Sequence, residues 1–402
     1  MKKWLSVALA AMMVLSMTAC GTTAQAPAAD AETSAVEAET PAADAETAEA
    51  QTEAAASGEE GLKIVIVSTA AGVDDGSFIQ NCYEGILSFI DSRGGIDTVN
   101  DIKEPTGDPA AAVQAVADVV ADYDVIVTPG FQFAAISTLA EENPDKKFIL
   151  VDSFASDAEG NTVVIDNLYG MMFSEQEGGF FAGIAAAMST KTGKVASVHG
   201  IAYESNVNYQ YGFASGVNYA NKHYGTSAEV VELPAYAGTD ITGANVGGNY
   251  VNSFGDPATA KIVAETLISE GVDVIFPAAG ASGNGVFTAA KEATDVYVIG
   301  CDADQFNDGV NGDKNIVLTS ALKCMDLNVE RQLNAVADGT FQGANELLQV
   351  NTDSVSYVTG EHCQLSEEAI SALAEVYELV KDGTIVPASN FNGYTPDEFP
   401  GL

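Results

Sequence analysis

Two carboxylates, a hydroxyl and an aromatic ring stand close together in VDDGSFIQNCYEGI, residues 73–86, as Asp74, Asp75, Ser77 and Phe78. The preceding KIVIVSTAAG has the β-branched run of a buried strand, and Phe78, Cys82 and Ile86 follow at the spacing of a helix. These groups therefore occupy a strand-to-helix turn. Further candidates end other strand-like runs: Asp152 closes KFILVD, Asp302 follows VYVIGC, and Gly280 closes DVIFPAAG. Open α/β sheets bind ligands beyond the carboxyl ends of their strands, so acids repeated in that position point to one pocket. An ionised carboxylate only accepts hydrogen bonds, which asks for a ligand that donates, such as a sugar hydroxyl or a purine N–H. Phe78 offers a flat face on which a ring can stack. Tyr209 and Phe213, i and i+4 in VNYQYGFASG, put one aromatic in position to provide the opposite face.

Other chemistries find little support. GASGNG, residues 280–285, has the spacing of neither nucleotide fingerprint and lacks the phosphate-loop lysine, so it reads as a close backbone approach to a neutral ligand. DADQFNDG, residues 302–309, begins like a calcium loop, but Phe306 occupies the fifth place. The three histidines, His199, His223 and His362, accompany no nucleophile motif. Nucleoside hydrolase chemistry would call for a DxDxxxDD-like cluster near the first strand, which is absent. No metal or cofactor is expected. With 57 acidic against 16 basic residues the chain has a formal charge of −41, and it has no basic stripe for nucleic acid. The cysteines beyond Cys20 are Cys82, Cys301, Cys324 and Cys363, without zinc spacing; free thiols are expected, with Cys301 and Cys324 the pair to test for a disulfide.

The elements that must position these groups alternate. KIVIVS, DVIVTP, KFILVD, KVASVH, DVIFPA and VYVIGC are strand-like, and PAAAVQAVADVV, GFFAGIAAAMS and ATAKIVAETLISEG between them have helical period. This is the pattern of βαβ units and a mainly parallel sheet covered on both faces. Asp108 before Pro109 and Asp256 before Pro257 signal helix starts. The length suits two such layered units. At the start, Lys2 and Lys3 precede an apolar run and LSMTAC, the layout of a secretory signal over residues 1–19 with a lipid-acceptor cysteine at Cys20. Residues 20–60 are rich in Ala, Glu, Thr and Pro and read as a disordered acidic tether. A flexible chain of that length has an end-to-end distance of about 35 Å.

DDGSF at the first turn, then GGFFAGIAAAMSTKTGKVASVHG, YGFASGV, NSFGDPATAKIVAETLISEGVDVIFPAAG, IGCDADQ and LTSALK, in that order, resemble the basic membrane protein (BMP) family over about residues 62–340. These are substrate-binding lipoproteins of ABC transporters, among them purine nucleoside receptors. The resemblance implies a type I periplasmic binding protein fold: two doubly wound lobes, residues 61–168 with 320–345 and residues 169–319 with 346–402, joined by a three-stranded hinge. It implies ligand-binding roles for Asp75 and Ser77, stacking roles for Phe78 and Phe213, an acid at Asp152, a backbone approach at Gly280, and a ribose site at Asp302 and Lys323. Ile79 stands where family members commonly carry asparagine, so the base preference, and even a sugar or another small polar metabolite as ligand, stays open. The implied protein is a monomer on the outer face of the cell membrane. It is not an enzyme, and it either delivers its ligand to ABC permease subunits or serves a sensor system.

Overall fold

The strand Lys63–Ser68 carries Ile64 and Ile66 into one core cluster and Val65 and Val67 into another, because side chains alternate across a sheet and both faces here are covered. The same holds for Val125–Pro129 and Lys147–Val151. In this computed structural model, which describes residues 61–69 and 71–402, two six-stranded sheets are built this way. The proposed signal, Cys20 and the tether lie outside the described residues.

The first sheet runs Thr98–Lys103, Lys63–Ser68, Val125–Pro129, Lys147–Val151, Leu168–Phe173 and Ala344–Leu348, all parallel. The second runs Glu229–Val230, Lys194–His199, Val274–Ala278, Tyr297–Asp302 and Val317–Lys323, closed by an antiparallel Val355–Tyr357. Each sheet thus begins with the doubly wound order 2-1-3-4-5. Helix starts fall where the sequence places them: Asp108 accepts the N–H groups of Ala110 and Ala111, and Asp256 accepts that of Thr259.

The chain changes sheet three times, after Phe173, after Lys323 and after Leu348. The first sheet therefore runs past residue 168, and Val317–Lys323 sits wholly in the second, a few residues from the expected crossings. The reason is that hydrophobic strands end where their backbone pairing ends, which an apolar pattern does not mark. The crossings are tied to one another: Ser174 N–H donates to the Leu348 carbonyl and Cys324 N–H to that of Ser354, both at 2.9 Å. In the second lobe the helices Glu175–Ser189 and Glu204–His223 lie against each other with almost no side chain between them. A Cβ at Gly183 would come 2.1 Å from the Phe213 carbonyl oxygen, and one at Gly216 2.1 Å from that of Phe180. Only glycine permits that approach, which brings Glu175 beside Asn208 and Tyr209.

Candidate ligand cleft

Strand ends from both sheets meet in one cleft enclosing about 710 Å³ of space free of protein atoms, its open mouth included. Asp75, Phe78, Asp152, Gly280, Asp302 and Lys323 all line it. Asp152 and Asp302 take left-handed backbone, with φ of 64° and 68°. A short polar side chain tolerates that region better than most. Gly280, also at positive φ, brings its backbone to the cleft beside Phe254.

Lys323 Nζ is the buried cation of the cleft. It makes a short ion pair with Asp152 and a second one with Glu175 Oε1 at 3.0 Å. The rings of Phe78 and Phe173 flank the ammonium at 5.4 and 5.2 Å. Burial alone would lower its pKa; Asp152, Glu175 and Asp302 outweigh that and hold it above the usual lysine range. Burial pushes Glu175 up to about 7 despite the opposing pull of Lys323. Asp302 is raised as well, by burial first, while Lys323 and a hydrogen bond from Tyr209 pull it back. The Tyr209 hydroxyl donates to Asp302 Oδ1 at 2.9 Å, and Ser77 Oγ donates to Oδ2 at 3.3 Å from the other lobe.

Three expected roles change. Asp75 lines the cleft, but its carboxylate accepts the N–H groups of Ser77, Ile79 and Gln80 at 3.0–3.1 Å and so anchors the start of the helix Phe78–Ser92. Ser77 stands behind Asp302, facing an adjoining polar pocket. Phe213 is fully buried and stacks on Phe276, with ring centroids 5.8 Å apart, because its helix turns that face into the core. The other aromatics lining the cleft are Phe131, from the same lobe as Phe78, and Tyr203 and Phe254, from the other lobe. Phe131 meets Tyr203 across the cleft at 4.2 Å, and Tyr203 stacks on Phe254 at 6.3 Å. Phe131 and Tyr203 follow the strand-like DVIVTP and KVASVH, whose exits carry the same signal as those considered. Cys82, Cys301, Cys324 and Cys363 are free thiols.

A family model described as "ABC transporter substrate-binding protein PnrA-like" (Bmp) matches residues 63–233 and 236–390. The chain belongs to this family. Among Bmp relatives, the "ABC transporter nucleoside-binding protein BmpA" of Lactococcus lactis is 30% identical, over 72% of this chain and 80% of its own length. The "CD4+ T-cell-stimulating antigen" of Listeria monocytogenes is 28% identical, over 80% of this chain and 87% of its own. A solved ABC transporter solute-binding protein from Aeropyrum pernix shares the fold at a TM-score of 0.68, with 22% identity, over 83% of this chain and 94% of its own. The Bmp assignment makes the chain a solute-binding protein of an ABC transporter, with the two-lobed periplasmic binding protein fold.

Proposed function

We propose that this Bmp protein captures a purine nucleoside outside the cytoplasmic membrane, held there by a lipid on Cys20, and delivers it as a monomer to its permease. The observation that carries this reading is the pairing of aromatic faces from both lobes, Phe78 and Phe131 on one and Tyr203 and Phe254 on the other, with the Asp302, Asp152 and Lys323 cluster between them. A flat base stacks on such faces once Phe131 and Tyr203, in contact at 4.2 Å here, part to admit it, and ribose hydroxyls suit the acids and the ammonium. The Lactococcus relative's name points the same way.

The chain's own groups supply the steps of capture. Ribose hydroxyls donate to Asp302 and Asp152, and Lys323 donates to a ribose oxygen, offsetting part of the local negative charge. Closure is held by contacts that cross between lobes. Gln305 Nε2 donates to the Gly76 carbonyl at 3.1 Å, Asn284 to that of Asp75 at 3.5 Å, and Ser77 to Asp302. The closed pair of lobes is the surface a permease recognises, and opening of the hinge releases the ligand. Binding without catalysis fits the engagement of the cleft acids. Asp75 is taken by three N–H groups, Asp152 by Lys323, and Asp302 by Tyr209 and Ser77, so none stands as an uncommitted base. Incubating the protein with inosine and assaying for free hypoxanthine tests this; any turnover would refute it. Calorimetric titration with nucleosides tests the ligand.

A further inference from the structure

We infer that Gln132 is the residue that reads the hydrogen-bonding edge of the ligand's base, a role for which Ile79 has no suitable atoms. This rests on the nucleoside reading above.

The charged groups at the cleft are already engaged, and the Asn206 amide donates to the Ala278 carbonyl at 2.6 Å. The lining polar side chains without a hydrogen-bond partner among the described residues are Thr69, Gln132, Tyr203 and Ser205. Three of these are hydroxyls, each a single rotating donor. Only the Gln132 amide presents an N–H₂ donor and a carbonyl acceptor side by side in one plane. That pattern pairs in two points with a ring edge carrying an acceptor next to a donor. The six-membered edge of hypoxanthine or guanine (O6 and N1–H) and that of adenine (N1 and the 6-amino group) both qualify.

The local backbone makes room for the amide. Gly130, at the end of Val125–Pro129, has φ 116°, and a Cβ there would lie 2.5 Å from Gln132 Oε1. The amide oxygen folds back against Gly130, whose positive φ favours glycine. Its neighbour Phe131 meets Tyr203 across the cleft, so the edge-reading group sits beside a stacking surface. Ile79, 2% exposed, contributes hydrocarbon to the cleft wall and nothing that discriminates one edge from another.

The test compares inosine with purine riboside, which lacks the 6-oxygen and the N1–H, by calorimetry on wild type, Gln132→Leu and Gln132→Ala. Wild type is expected to bind inosine roughly tenfold more tightly than purine riboside, the effect of one to two neutral hydrogen bonds. In both variants that ratio falls to about one through loss on inosine, with purine riboside unaffected. The thermal midpoint of each variant should match wild type, because the amide has no protein partner to lose. A wild-type ratio near one, or a ratio kept in both variants, overturns the assignment while leaving the nucleoside reading intact. Wild type that binds neither compound, nor any other purine nucleoside, overturns both.

Discussion

Asp152 and Asp302 are counterparts in the two lobes: each stands at the exit of the fourth strand of its sheet, each has left-handed backbone, and both lie within the electrostatic reach of Lys323. The repeated strand order thus delivers an acid from each lobe to one ammonium. In the proposed function, binding in the cleft depends on this charge arrangement as well as on the aromatic walls.

Removing the ammonium should expose the cost of the arrangement. Lys323→Met leaves Asp152 and Glu175 without their cation, and breaking a buried pair in this way costs about 3–5 kcal/mol. Urea unfolding at pH 8 is expected to show that loss. At pH 5, where Glu175 holds a proton, the loss should be smaller, as should the variant's deficit in thermal midpoint.

Glu177 offers a pH test with a defined sign. It is buried, accepts the Val350 N–H at 2.8 Å, and has its pKa pushed up to about 7 by burial, against the ordinary 4.5. The folded state then binds more protons than the unfolded one between those values, so this group's contribution to stability is present below pH 4.5 and lost as pH rises through 7. Glu177→Gln should leave stability at pH 4.5 nearly unchanged and raise it at pH 8 by on the order of 3 kcal/mol. Paired denaturation curves at the two pH values measure this.

Phe213 and Tyr203 separate core from cleft. Phe213→Ala opens a cavity beside Phe276 and is expected to cost about 3–5 kcal/mol of stability, with ligand affinity kept in the protein that folds. Tyr203→Ala should do the reverse, weakening ligand binding by roughly tenfold through loss of a stacking face, with little change in urea midpoint. Calorimetry and unfolding on both variants distinguish the two.

Gly183→Ala drives a methyl into the Phe213 carbonyl, where neither helix backbone can yield locally. Overpacking of this kind costs about 1–3 kcal/mol or more. Since the helix pair also positions Glu175 and Tyr209, ligand affinity should fall with stability, in contrast to Phe213→Ala.

The strands and their exits were legible because parallel strands buried on both faces read as unbroken β-branched runs, and the acids at Asp152 and Asp302 stood directly after them. Asp75 was found at the cleft but not its task, since a carboxylate that anchors a helix start and one that holds a ligand look alike in sequence. Phe213 against Phe254 was decided by helix phase and by a long connection, neither of which the local pattern records. Glu175 lay hidden at the head of an apolar helix; only the close glycine packing and the distant Lys323 give it a role. Gln132 follows a strand already recognised, and the signal that finds it is the polar residue three places beyond the strand end.

The central claim is tested most directly by stripping the protein of bound ligand through unfolding and refolding, then titrating guanosine, inosine, adenosine, cytidine, uridine and ribose by calorimetry. Micromolar or tighter binding of at least one purine nucleoside, weakened at least about tenfold in Asp302→Ala and in Phe78→Ala, is the expected result. No heat with any of the six, from refolded protein that unfolds cooperatively, would contradict the nucleoside assignment.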